Sequence, residues 1–239
     1  MSWRYAATCK AADVPTIAVF APVGATAASV VVPKEMLAKA ADAAARRGSG
    51  PPDRVVIAST DGAPVRCGGD ILVEADAGID DLDSCDLIWV GAYWSDLYQG
   101  AEDNAAGIRW IAEQHRAGAE VVGHGPGSFL LAEAGLLSGR IATTYRTQVR
   151  AFRRRHPDVD LQPQRAITST GTGVYCALGI TSGLDLLVAL IGRRYGHEVA
   201  SGVAAWSLYD TQRRYRAETV AFDGQKYGSP GTDVGLILR

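Results

Sequence analysis

Short apolar runs alternate with longer stretches in which apolar residues recur at helical spacing, and this alternation extends through most of the 239 residues. Residues 16–20 (Thr-Ile-Ala-Val-Phe), 55–59, 86–91 and 120–123 are runs of the kind that parallel strands buried on both faces require. Residues 33–47, 105–117, 128–137 and 182–195 keep the three-to-four-residue apolar period of helices, the first closed by Gly48-Ser49-Gly50-Pro51-Pro52. Asp61-Gly62 marks a turn, and residues 64–66 and 70–73 after it predict a small antiparallel excursion. Residues 173–176 predict a last strand. Strand and helix in repetition predict an α/β fold, a three-layer, doubly wound, mostly parallel sheet of the flavodoxin-like kind. No internal repeat interrupts it. One domain is expected over residues 1–222, followed by a glycine-rich and polar tail, 223–239, that ends in an apolar run.

Composition changes this picture little. With 47% hydrophobic residues the chain can bury a sizeable core as one domain. Its 24 basic and 26 acidic side chains leave a net charge of −2, which predicts no nucleic-acid or membrane partner. Arg153-Arg154-Arg155 reads as the solvated end of a helix rather than a phosphate grip. Cys9, Cys67, Cys85 and Cys176 lack CxxC spacing, which fits a reducing compartment without disulfides or zinc. His115, His156 and His197 have no spacing that suggests a metal, and no cofactor motif is present. No apolar segment has the length of a signal peptide or membrane span, so a cytoplasmic protein is expected.

The stretch richest in chemistry is Val121-Val122-Gly123-His124-Gly125-Pro126-Gly127-Ser128, an apolar strand entering a glycine-rich turn and then a helix. That is the outline of a nucleophile elbow, a strained turn that aims its tip side chain into the crevice at the end of a sheet. The tip here is Gly125, which accepts positive φ and supplies no reactive atom. Pro126 follows at a favoured first helical position and removes a backbone donor that an oxyanion hole would use.

The run Ser128-Phe129-Leu130-Leu131-Ala132-Glu133-Ala134-Gly135-Leu136-Leu137 and the threonines Thr143 and Thr144 resemble the DJ-1/PfpI superfamily. The resemblance is strongest to the glutamine amidotransferase-like domains of AraC-type regulators and to isonitrile hydratases. Phe152-Arg153-Arg154-Arg155-His156-Pro157-Asp158 and Gly179-Ile180-Thr181-Ser182-Gly183-Leu184-Asp185-Leu186 carry it further, so that it covers roughly residues 15–220. It implies a homodimer, a glutamine amidotransferase-like fold, and a crevice at the carboxyl ends of the strands. By the same resemblance the family's elbow cysteine falls on Gly125, a histidine of many members on Tyr145, and an early acidic residue on Ser29. AraC-type regulators continue into a helix-turn-helix module, and nothing after Phe222 has the periodicity for one, which argues against a direct transcription factor.

Ser29, Tyr93, Trp94, His124, Tyr145 and Cys176 are the side chains nominated for the crevice, with Gly125 and Pro126 as its floor. His124 reads either as an acid or base or as a structural histidine, and Tyr145 either as a donor or as space-filling. Tyr93 and Trp94 line an aromatic pocket or pack at a subunit interface. Cys176 is a buried hydrophobe or a relocated nucleophile. The reading favoured on sequence is a cofactor-free small-molecule enzyme of lyase, isomerase, cyclase or hydratase type. In it Tyr145, His124 and Ser29 assist proton transfer, while Gly125, Pro126, Tyr93, Trp94 and Cys176 hold the substrate. The alternative is a catalytically inactive protein that binds a small-molecule ligand or a partner. A third reading is a thiol enzyme built on Cys176.

Overall fold

In a computed structural model that describes residues 14–207 and 220–222, the first apolar run is strand β1 (Thr16–Phe20), buried along its whole length. Its period of two sends Ile17 and Val19 into one core and Ala18 and Phe20 into another, as a sheet covered on both faces demands. Helix α1 (Ala28–Arg46) and strand β2 (Arg54–Ser59) follow, then the expected hairpin of β3 (Val65–Arg66) and β4 (Leu72–Val73), and then β5 (Ala77–Gly78). Strand β6 (Leu87–Val90) leads to α2 (Leu97–Asp103) and α3 (Ala105–Arg116), and β7 (Glu120–His124) to α4 (Gly127–Glu133). The short strands β8 (Ile141–Ala142) and β9 (Asp160–Leu161) flank α5 (Val149–Arg155), whose last turn carries the three arginines. Strands β10 (Ile167–Ser169) and β11 (Val174–Ala177), helices α6 (Ile180–Tyr195) and α7 (His197–Trp206), and β12 (Val220–Phe222) complete the order.

The main sheet has eight strands in the order β12-β10-β11-β7-β6-β1-β2-β5, parallel except for the β10–β11 pair. Helices α1, α6 and α7 supply the core on one face, and α2 to α5 the core on the other. The expected three-layer architecture is therefore observed. Residues 173–176 are not the last strand, because β12 pairs beyond β10. The expected tail, 223–239, lies outside the described residues, as does Cys9. Among the described residues no helix is long and apolar enough to cross a membrane.

Helix α1 begins five residues before the Pro33 at which the sequence places its start, so a proline lies inside it. Proline has no N–H for the carbonyl four residues back, which here is that of Ser29. Trp89, fully buried in β6, supplies the missing donor: its Nε1 donates to the Ser29 carbonyl at 3.0 Å. A defect in the helix is thus repaired by the strand beneath it.

Candidate functional site

β7 ends at His124 and α4 begins at Gly127, and the residue that makes the turn, Gly125, has φ +55°. In that left-handed region a residue with a Cβ is strained by about 1–2 kcal/mol. The peptide groups of the tip are firmly held. The Gly125 N–H donates to Ala177 O at 2.7 Å, and its carbonyl accepts from Ser128 Oγ at 2.8 Å, Ser128 N at 3.1 Å and Thr144 Oγ1 at 3.2 Å. A Cβ on Gly125 would lie 3.7 Å from both Ala92 Cβ and Leu178 O, so the tip needs glycine for its φ and not for space. Gly127 is the reverse case: a Cβ there would stand 2.7 Å from Val90 O and 2.8 Å from Gly91 O. Pro126 (φ −59°) caps α4 and has no N–H to offer to the crevice.

The loops after β1 and β6 are stitched together beside this turn. Thr26 N donates to Ala92 O at 2.7 Å, Trp94 N to Gly24 O at 3.0 Å, and Ala25 bridges Tyr93. Ser29 is the central fastener. Its fully buried Oγ donates to Thr26 O at 2.7 Å and accepts the Ala92 N–H at 2.9 Å, leaving little hydrogen-bonding capacity for a ligand. Buried Asn104, between α2 and α3, accepts the Val23 N–H at 2.8 Å and donates to Gly100 O at 2.7 Å, holding the same loop from behind.

The other nominated side chains divide sharply. Tyr93 is 3% exposed and turned into the core under α2, its hydroxyl donating weakly to Leu97 O at 3.5 Å. Its neighbour Trp94 is 74% exposed and lies against Gly68, where a Cβ would come within 2.7 Å of the indole. The two aromatics therefore do not form one pocket wall. Tyr145 is half exposed, one residue after the Thr144 that bonds the tip.

His124 is buried on the α6 side, edge-on to Trp89 at 5.4 Å, and its Nε2 would stand 2.9 Å from a Cβ on Gly183. Neither ring nitrogen has a hydrogen-bond partner of good geometry. Burial pushes its pKa down to about 4 against a weak opposing pull from the Gly179 backbone, so the ring is neutral near pH 7. Cys176 projects into the core on the α2–α5 side, and burial pushes its thiol up to about 12. Cys67 and Cys85 are likewise free and buried, and burial raises both thiols. Among the described residues, no three histidine, cysteine or acidic side chains gather as a metal would require.

Ala92, Gly125, Thr144 and Leu178, from the loops after β6, β7, β8 and β11, converge on one point. Of the nominated residues only Gly125 belongs to that convergence directly, with Ser29 tied to it through Ala92 and Tyr145 through Thr144. Sequence reasoning missed Asn104 and Ser128. An asparagine between two helices gives no sign that it holds a loop, whereas Ser128 stood at the start of the helix after the turn, where a side-chain oxygen commonly closes a cap.

No family model matches the chain. Over 148 residues it is 31% identical to the HTH-type transcriptional regulator CdhR of Pseudomonas aeruginosa, a match covering 62% of this chain and 43% of that protein. The chain thus matches less than half the length of this curated relative. A solved putative transcriptional regulator from Vibrio parahaemolyticus aligns with a TM-score of 0.70 at 21% identity, over 80% of this chain and 98% of that one. Drosophila melanogaster DJ-1beta aligns with a TM-score of 0.67 at 16% identity, over 82% and 98%. The fold is that of the DJ-1/PfpI proteins.

These matches overturn the expectation of no nucleic-acid partner. The curated relative is a transcriptional regulator of helix-turn-helix type, and a solved neighbour is described as a regulator as well. A net charge of −2 argues only against a broad basic surface on the chain, and the larger part of CdhR lies outside the match.

Proposed function

We propose that this chain is a ligand-sensing domain of the DJ-1/PfpI fold acting in transcriptional control, which binds a small molecule at the elbow crevice without covalent chemistry. The observation that carries this reading is Gly125: the turn that would present a nucleophile is intact in its backbone and carries no side chain. Two further observations support it. Pro126 lacks an N–H and the Ala92 N–H is taken by Ser29, so donors for an oxyanion are scarce at the tip. The described thiols are buried and raised in pKa, the opposite of what a thiolate nucleophile needs. The likeness to regulators gives such a domain a use, with ligand binding reported to a DNA-binding unit on the same or another chain.

The enzyme reading keeps less support. Ser29 is engaged on both sides and His124 is neutral and walled in, which leaves Tyr145 as the accessible acid or base.

The test is a metabolite screen on the full chain that follows thermal stability and ligand consumption together. The proposal expects a saturable rise of a few degrees in Tm for one ligand class, unchanged ligand by mass spectrometry, and roughly tenfold weaker binding in Tyr145→Ala. Turnover that survives Cys176→Ala but collapses in Tyr145→Phe and His124→Ala would overturn it in favour of an enzyme. Turnover abolished by Cys176→Ala alone would overturn it in favour of a thiol mechanism.

A further inference from the structure

At the end of α4 remote from the elbow, the surface folds into a cleft of about 280 Å³ against α2 and α3. Its floor is apolar, formed by Ala101 and Ile108 beside the ring of Tyr98, and its rim carries Glu102, Glu133 and Arg155. Glu133 is fixed in place. Its Oε1 accepts from Arg155 Nε at 3.0 Å and from His156 Nε2 at 2.9 Å, and its side chain is only 16% exposed. His156 is itself held against the rings of Phe129 and Phe152, at centroid distances of 5.0 and 5.6 Å. On the other side Arg154 Nε donates to the Tyr98 hydroxyl at 3.0 Å, with the guanidinium 5.5 Å from the ring centre.

Two carboxylates and one guanidinium thus line an apolar floor, while Arg154 is held on the Tyr98 ring outside that lining. A ligand of either single sign would meet a group of its own sign there, Arg155 for a cation and Glu102 for an anion, whereas one that carries both signs can engage each. Arg155 is 57% exposed, and an exposed ion pair is worth only about 0–1 kcal/mol, so its guanidinium can be recruited by a ligand at little cost. Glu102 is exposed and close enough to Arg155 to favour its charged form, after the larger effect of Glu133.

We propose that this cleft is a second binding site, separate from the elbow, for a small aliphatic amino acid in its zwitterionic form. The ammonium group faces Glu102 and Glu133, the carboxylate faces Arg155, and the side chain lies on Ala101 and Ile108. The inference does not rest on the reading of the elbow, since no residue is shared between the two sites.

Calorimetric titration of the full chain with L-norleucine, hexanoate and pentylamine tests it, because the three share an aliphatic tail and differ in head-group charge. Saturable binding of L-norleucine is expected at about millimolar Kd or tighter, with hexanoate and pentylamine at least roughly tenfold weaker. Arg155→Gln and Glu102→Gln alter exposed side chains, and each should weaken norleucine binding about tenfold while circular dichroism shows the fold unchanged. Absence of saturable heat with norleucine, equal binding of hexanoate, or undiminished binding in both variants would overturn the proposal. Tyr145→Ala separates the sites: norleucine binding lost in that variant would put the ligand at the elbow and overturn the cleft as its site.

Discussion

Replacing Trp89 by phenylalanine removes the indole N–H that satisfies the Ser29 carbonyl, in a place where both residues are fully buried. A buried carbonyl left without a partner costs about 1–3 kcal/mol, and the lost ring volume adds roughly 1–2 kcal/mol for the void. For a chain of this size each kcal/mol moves Tm by about 2–4 °C, so Trp89→Phe is expected to lower Tm by roughly 4–20 °C. The loss has a specific remedy. Pro33→Ala restores an N–H four residues after Ser29, which can close the ordinary helical bond to the orphaned carbonyl. In the Trp89→Phe background that change should recover stability, whereas in the natural chain the carbonyl is already occupied and the same change should yield less. A double-mutant cycle by urea denaturation reads the difference, and a coupling of about 1 kcal/mol or more is expected. Cavities made by either substitution are common to both backgrounds and largely cancel. Additivity within about 0.5 kcal/mol would refute the claim that strand and helix share this bond.

Three other outcomes follow from the site. His124 has its pKa at about 4 instead of the ordinary 6.5, so the unfolded chain binds the proton more readily between those values. Its contribution is intact above about pH 6.5 and lost as the pH falls towards 4, by roughly 3 kcal/mol; urea titrations at pH 7 and 4.5 should show this fall, and His124→Phe should flatten it. Gly127→Ala places a Cβ against two carbonyl oxygens while Gly125→Ala meets only ordinary contacts plus about 1–2 kcal/mol of φ strain. Gly127→Ala should therefore be the more destabilising of the two in denaturation, and the reverse order would contradict the geometry. Finally, Cys67, Cys85 and Cys176 are all buried and should resist alkylation in the native chain as read by peptide mapping; rapid labelling of Cys176 would contradict its placement in the core.

The central strands were legible because burial on both faces leaves continuous apolar runs, and β1, β2, β6, β7 and β11 fall where those runs lie, whereas β5, β10 and β12 towards the sheet's edges are too short to show such a run. The start of α1 was not legible. Pro33 marked the start because a proline is favoured at the first helical position and costs a bond further in, and the bond it costs here is replaced by the Trp89 donor to the Ser29 carbonyl. Helix α2 escaped for a related reason. Asp96 caps it, accepting from Tyr98 N at 2.9 Å, but Gly100 stands in its middle, and the demand for glycine comes from the Tyr93 ring, 2.2 Å from where a Cβ would be. The elbow was legible in the glycine-rich turn at residues 123–127, and the loops around it were legible from the resemblance to the DJ-1/PfpI superfamily. Which side chains face the crevice was not, as Tyr93 and Trp94 show: adjacent aromatics with the same local pattern, one in the core and one in solvent. Partners were the least legible of all, since net charge averages over a chain whereas recognition is local.

Every bond that shapes the elbow comes from elsewhere: from Ser128, Thr144 and Ala177, and from the close seating of Gly127 on β6. None comes from a side chain at position 125. The tip is therefore an exchangeable fitting on a self-supporting bracket, and a lineage can install or withdraw a reactive group there for no more than the strain of one residue. A scaffold with that property can gain or lose its tip side chain by a single codon without rebuilding its core, while the donors around the tip stay limited by Pro126 and by the Ser29–Ala92 bond.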